Sequence, residues 1–446
     1  MLCVWVVSKT SEHIQQVISL KILIVNYRYF VSGGPERYLF NLKKLLEDAG
    51  HCVIPFSVAY DANTKSEYDT YFASPLSNGK EVYFKQHSWS LRVLGRTLTR
   101  SFYSREVYDK LCALISDTTP DYAIVLHYLR KLSPAVLKAL HDKRIPFVVR
   151  LSDFAMICAN AHLYRKGKPC ELCVQGSRHH SLRYKCVQSS LAASAVEYLA
   201  TSYHHMRGFF DLIPYFVIPS RFALSRMVAA GWPESKLVQI PTFVNVTVND
   251  EPKNGLRVIY FGRIESSKGV HILLAAINEI KTIRTDLTFD TVLVGNGDNA
   301  YRRELANYVD EHHLSRVELR NQLPAERLYP LVQSSSFSVC PSLLYDNMPN
   351  SVLESLALGT PVVASNHGSL SEVVMNGKTG VLFAPGNISE LASAIVFLLD
   401  RPELCRRLGQ QAIQFVMEHH SGKRHLDALL GLLHSQKSLA PVSSKE

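Results

Sequence analysis

Ten short apolar runs, each closed by a polar or glycine-bearing turn, recur along the chain with helix-like stretches between them. They are rich in Val, Ile, Phe and Tyr and too short for buried helices, so they read as buried strands. Residues 21–27 (KILIVNY), 51–57, 121–128, 145–153 and 215–220 form one group. Residues 257–263 (RVIYFGR), 289–297, 336–342, 360–365 and 380–385 form a second. Stretches such as RYLFNLKKLLEDAG, SPAVLKALHDKR and SKGVHILLAAINEIK carry the helical period. Strand, turn, helix and strand in repetition is the pattern of a parallel, doubly wound α/β sheet.

The pattern restarts after a polar, Pro/Gly-punctuated stretch at 240–255, and 446 residues exceed one ordinary domain. The expected fold is therefore α/β: two Rossmann-like domains facing each other across a cleft. The boundaries are an N-terminal domain over 21–243 and a C-terminal domain over 244–420. Residues 1–20 fit no periodic pattern and read as an extension. Residues 421–446 read as a last helix and tail, free to pack on either domain, including back on the first. Ligands in such sheets bind beyond the carboxyl ends of strands, so the informative residues should follow the runs.

A hydrophobic content of 47% and a charged content of 20% describe a globular chain with a full core. The apolar opening MLCVWVV spans only seven residues without a basic leader, which makes a poor signal peptide. Nine cysteines without such a signal suggest a reducing compartment, and the expected location is cytoplasmic. The net charge of +10 is lopsided. Up to Phe243 there are 30 Lys and Arg against 18 Asp and Glu; from Val244 onward there are 19 against 21. A basic first half suits a phosphate-bearing or membrane-bound partner. No nucleic-acid motif accompanies it.

Three glycine-bearing segments follow runs of the second half. In FGRIESSKG (261–269), Ser266 or Ser267 can cap the next helix. Lys268 would then lie in its first turn, where the helix dipole disfavours a cation. Two cations there, Arg263 and Lys268, suit a bound diphosphate, though two solvated surface cations fit equally. VGNGD (294–298) is explained by a tight turn alone, and SNHGSLSEVV (365–374) has a glycine where backbone could approach a ligand. In YDNMPNSVLE (345–354), Ser351 and Glu354 fit a capping box, and on that reading Asp346 and Glu354 are ordinary helix-end carboxylates.

Taken in order, FGRIESSKG, VGNGD, DNMPNSVLE, GTPVVAS, GSLSEVV and NGKTGVLFAPGN resemble the donor-binding domain of the family 4 retaining glycosyltransferases, with the GT-B fold. KILIVNYRYFVSGGPERY resembles that family's opening strand and glycine loop. The resemblance implies transfer of a sugar from a UDP- or GDP-linked donor with retention, without a metal or other cofactor for the chemistry. Arg263 and Lys268 match the family's diphosphate-binding pair. Asp346 matches the first carboxylate of its paired-glutamate motif, which contacts the transferred sugar, and Glu354 the second, which holds the ribose. Backbone at Asn347, Met348, Pro349, Asn350 and Ser351 would face the sugar and phosphates. Gly33, Gly34, Gly295 and Gly368 match its donor-side loops. Two departures stand out. Asp346 is one methylene shorter than the family's glutamate, and the family's histidine after the strand FVVRLSD corresponds to Ser152, with Asp153 beside it.

On the acceptor side, Cys158, Cys170, Cys173 and Cys186 form C-x11-C-x2-C-x12-C, which fits either a structural tetrathiolate zinc or four unlinked thiols in a loop. In residues 89–102 (WSLRVLGRTLTRSF), Leu91, Leu94, Leu98 and Phe102 share one helical face and Arg92, Arg96 and Arg100 another. Such a helix suits an anionic membrane surface or, equally, packs its leucines on the sheet. The expected acceptor is a glycan or a polyprenyl-diphosphate-linked glycan at the cytoplasmic membrane face, in surface polysaccharide synthesis. The alternatives are a nucleotide-sugar epimerase of the same fold and a non-catalytic nucleotide-sugar-binding protein.

Overall fold

A computed structural model describes residues 19–77, 80, 90–246 and 255–439. The proposed extension, but for residues 19 and 20, and residues 247–254 of the 240–255 linker lie outside them. The strands are β1 (Lys21–Asn26), β2 (Cys52–Phe56), β3 (Tyr122–His127), β4 (Phe147–Arg150), β5 (Tyr164–Arg165), β6 (Lys168–Pro169), β7 (Tyr215–Ile218) and β8 (Leu237–Gln239), then β9 (Arg257–Phe261), β10 (Asp290–Val294), β11 (Val317–Arg320), β12 (Phe337–Cys340), β13 (Val362–Ser365) and β14 (Gly380–Phe383). They build two six-stranded sheets, ordered β2-β1-β3-β4-β7-β8 and β11-β10-β9-β12-β13-β14, and a small β5-β6 hairpin. Every pairing within the two large sheets is parallel.

The alternation within β1 shows why these runs became strands. Leu23 and Val25 join a core on one face of the first sheet, and Ile22 and Ile24 join another on the opposite face. A strand buried on both sides must be apolar throughout, as a parallel sheet covered by helices requires. In the second sheet Val258 and Tyr260 divide from Ile259 and Phe261 in the same way. Strand order reverses direction between β1 and β3 in the first sheet and between β9 and β12 in the second. Those two reversal points open the crevices where ligands of such sheets sit.

The helix Gly422–Leu439 returns to the first sheet: Leu426, Leu429 and Leu433 are buried with Ile22, Ile24, Tyr38 and Leu42. The helix Leu91–Phe102 departs from the reading in which its leucines pack on the sheet. Its leucines do not pack on the sheet: Leu91, Leu94 and Leu98 are exposed, and Val93 is buried instead. Arg100 is not a surface arginine but is buried, donating to the carbonyls of Lys131 and Ser74 and to Glu106. The side chain of Arg92 lies outside the described residues.

Candidate active site

In the C-terminal half, the chain leaves β9 through Gly262 and Arg263 and makes a single 3-10 turn, Ser266–Lys268. The following helix, Val270–Ile283, starts after Gly269 at φ +70° with no side-chain cap, so neither Ser266 nor Ser267 caps it. Glycine is required at 269 because a Cβ there would stand 1.9 Å from the Pro341 carbonyl. Lys268 therefore lies ahead of the helix rather than in its first turn, and its ammonium pairs with the Asp346 carboxylate. Burial pushes the Asp346 carboxyl up, but Lys268, a Ser342 hydrogen bond and Arg263 together hold it below the usual carboxylate range. Arg263 is half-exposed and pairs with Glu265 at 2.9 Å.

The DNMPN loop that follows β12 leads into the helix Asn350–Ala357, capped by the backbone of Pro349. The capping box is absent: Ser351 is inside the helix, and Glu354 does not reach back. Instead the buried Glu354 carboxylate crosses the cleft, accepting bonds of 2.7 and 2.9 Å from Nη1 of Arg37 in the first domain. Met348 stands at φ +138°, a conformation that costs a side-chain-bearing residue about 1–3 kcal/mol and is retained where surroundings dictate it. Asp346 Oδ2, Asn347 Oδ1 and His367 Nδ1 are buried without hydrogen-bond partners, so this pocket has polar capacity unfilled.

The glycines have separate roles. Gly34 offers its carbonyl to Asn350 Nδ2 at 3.1 Å, joining the glycine loop of the first domain to the DNMPN loop; Gly33 precedes it as the backbone cap of the helix Gly34–Asp48. Gly295 permits loop packing: a Cβ there would lie 1.8 Å from the Gly262 carbonyl. Gly368 is at φ +59° against Tyr345, next to Ser369, whose hydroxyl donates to the Asp346 carbonyl. Asn347 Nδ2 donates to the Leu151 carbonyl at 2.6 Å, another contact between the domains.

Across the cleft, a cavity of about 360 Å3 opens at the carboxyl ends of β1, β3 and β4. Ser152 and Asp153 line it, and so do Tyr27, Arg28, His127, Arg130, Lys131, Arg150 and His162. Asp153 pairs with His127, Oδ2 to Nε2 at 3.0 Å. Burial pushes the Asp153 carboxyl up, yet His127, an amide bond from Ala155 and Arg130 together bring it down to about 2. The Ser152 hydroxyl is buried without a partner. The histidine beside this strand thus comes from β3, not from position 152. His162 lines the cavity and lies within electrostatic reach of Asp153, Arg263 and Lys268.

Cys158, Cys170, Cys173 and Cys186 line one small cavity of about 20 Å3. All four are free thiols, and amides of Asn160, Leu163 and His162 point hydrogen bonds at Cys158. Burial, then the neighbouring Cys158, Cys186 and Cys170, push the Cys173 thiol up to about 12. Among the described residues, no group of three or more His, Cys, Asp or Glu is arranged to hold a metal ion.

Comparison with known proteins bears on this site. Residues 255–401 match the family described as "Glycosyl transferases group 1". Residues 255–401 form a group 1 glycosyl transferase domain. Over 165 residues the chain is 33% identical to a glycogen synthase of Mycobacterium tuberculosis strain H37Rv, covering 36% of this chain and 39% of that one. Over 176 residues it is 28% identical to the alpha-D-kanosaminyltransferase of Streptomyces kanamyceticus, covering 39% and 44%. The matched segment thus spans about two fifths of the curated relatives' length. The architecture agrees over 94% of the chain with all of a sucrose-phosphate synthase from Thermosynechococcus elongatus, at a TM-score of 0.69 and 19% identity. It agrees over 93% of the chain with 99% of Anabaena HepE, solved with UDP-glucose, at 0.62 and 17%. The fold is GT-B: two parallel α/β sheets across a cleft.

Sequence reasoning named Lys268, Asp346 and Glu354 but did not foresee their partners. Arg37 was visible in the quoted glycine-loop segment, yet nothing in its spacing marked it. His127 closes the third run, where the rule that ligands gather at strand ends could have singled it out.

Proposed function

We propose that the chain is a retaining glycosyltransferase that moves a sugar from a nucleoside-diphosphate donor to an acceptor hydroxyl. The observation that carries the reading is the Lys268–Asp346 pair, at the reversal point of the second sheet beside polar atoms that lack partners. Lys268 and Arg263 stabilise the charge that grows on the departing diphosphate, an effect strongest where water is excluded. Asp346 keeps Oδ2 for a hydroxyl of the transferred sugar, and Glu354 takes the ribose hydroxyls in exchange for part of its contact with Arg37. Uridine is the favoured base because HepE was solved with UDP-glucose and Staphylococcus aureus TarM with UDP. A lipopolysaccharide outer core galactosyltransferase, WaaB, shares the fold at a TM-score of 0.57, which supports a role in surface polysaccharide synthesis.

Two further parts belong to this reading. The four cysteines, although not arranged as a metal site in the structure, act as a staple for the loop after β4 by drawing together on a structural zinc; their shared cavity and the amides aimed at Cys158 support it. The exposed Leu91, Leu94 and Leu98 lie on a helix that packs against Leu191–Met206, which exposes Leu191, Leu199 and Met206. These exposed apolar side chains on the basic half suit contact with an anionic membrane. No helix among the described residues is long and apolar enough to cross one.

The deciding experiment incubates the full chain with UDP-sugars and a crude lipid extract. Release of UDP that depends on the extract is the expected result. Nucleotide-sugar binding by calorimetry with no release under any acceptor would overturn the transfer reading and leave a binding protein.

A further inference from the structure

Glu354 and Arg37 face each other across the cleft with unequal needs. The Glu354 side chain is 2% exposed and that of Arg37 is 33% exposed. A carboxylate so buried must keep a partner, because losing it leaves the charge stranded. Arg37 has no such need, since its long stem can carry the guanidinium out to water. Burial pushes the Glu354 carboxyl up, and Arg37 and a hydrogen bond from Tyr329 offset that only in part.

The manner of contact points the same way. A single nitrogen, Arg37 Nη1, bonds both carboxylate oxygens, at 2.7 and 2.9 Å. The stronger arrangement, two nitrogens meeting two oxygens side by side, is not made. Arg37 ends the first turn of the helix Gly34–Asp48, where the helix dipole disfavours a cation. Its own helix therefore gains nothing from the charge, and what holds the guanidinium in place is the carboxylate of the other domain. Beside the pair, Asn350 Nδ2 donates to the Gly34 carbonyl at 3.1 Å, so the starts of two helices meet here across the cleft.

We infer that Arg37 is a built-in competitor of the donor's ribose and sets how much the ribose hydroxyls contribute to binding. It holds the two oxygens of Glu354 until two neighbouring hydroxyls take them and release the guanidinium to water. A nucleotide without those hydroxyls leaves the ion pair closed and gains nothing from Glu354. The nucleoside diphosphate product leaves by the same exchange in reverse, so Arg37 also loosens the hold on product. The inference rests on the reading of Glu354 as the ribose carboxylate.

The test is calorimetry on the full chain with two probes, UDP and 2′,3′-dideoxyuridine diphosphate. Arg37→Met tightens UDP about tenfold or more, the worth of one charge-assisted bond, and changes the dideoxy analogue less than about twofold. Arg37→Lys tightens UDP by a smaller factor; it keeps a cation beside Glu354, so it reads the effect even if Arg37→Met is unstable. In a Glu354→Gln background, Arg37→Met changes UDP binding less than about twofold. Weaker UDP binding in Arg37→Met would make Arg37 a donor ligand and overturn the inference. Equal tightening of both probes would overturn it too, since Arg37 would then only fill the space, and no change with either would leave a plain salt bridge between domains. If Glu354→Gln weakens UDP alone while Arg37→Met and Arg37→Lys tighten nothing, the ribose reading stands and the inference fails. If Glu354→Gln changes neither probe, the ribose reading itself falls. UDP binding that follows the expected pattern without sugar transfer under any condition would refute the transfer reading and leave the exchange standing.

Discussion

The Lys268–Asp346 pair can be a structural clamp between two loops or the working pair of a donor site, and one series of variants separates these. The two side chains are only 16% and 10% exposed. Lys268→Met leaves the Asp346 carboxylate buried and uncompensated, and removing one partner of a buried pair costs about 3–5 kcal/mol. Adding Asp346→Asn removes that stranded charge, so the double variant regains most of the loss, about 2 kcal/mol or more. Activity follows another course. Losing one group that stabilises charge in the transition state costs about 10²–10³ in turnover, and neutralising Asp346 does nothing to restore a cation beside the diphosphate. The expected result is a double variant with near-normal urea stability of its C-terminal domain and turnover still depressed about 10²-fold or more. Stability and donor affinity come from the same preparations, by urea titration and calorimetry with UDP. Turnover that recovers together with stability in the double variant would show that the pair is a clamp and nothing more.

Two other outcomes follow from the first domain. The Asp153 carboxyl is held at about 2 when folded, below the ordinary aspartate value. Its contribution is complete above the unfolded pKa and fades as pH falls through the folded one, so between pH 5 and pH 3 the wild type should lose more melting temperature than Asp153→Asn; equal losses would mean that His127 does not hold Asp153. For the cysteines, metal analysis of purified protein should give about one zinc per chain, falling in Cys173→Ser; under about a tenth of an equivalent in a folded preparation would remove the zinc reading.

The strand–helix alternation was legible because buried parallel strands must be apolar on both faces, and β1, β3, β9 and β10 meet that demand. β11 escaped notice because VELR is only partly buried and carries charge, and β8 because only Leu237 of its three residues is fully buried. Lys268 and the DNMPN loop could be singled out because they follow strands at a reversal point. Their pairing could not, since Lys268 and Asp346 are 78 residues apart and meet only through the β9–β12 neighbourhood. The capping box failed for a related reason: Glu354 had a stronger partner in Arg37, 317 residues away, than the local amide that the motif offered. The buried Arg100 shows the limit of amphipathic patterns, for a long arginine that finds two carbonyls and a carboxylate can displace leucines from a packed face.

The return of the helix Gly422–Leu439 to the first sheet has a consequence for how the protein is made. A chain emerging from the ribosome can complete the second sheet once β14 and its flanking helices have been synthesised. The first sheet, although it is made earlier, still lacks one of its layers at that stage. Ile22, Ile24 and Leu42 wait for Leu426, Leu429 and Leu433, which arrive some four hundred residues later. The domain that begins first is therefore the last to close, and a chain cut before residue 422 leaves an apolar groove open on the half that carries the basic cavity.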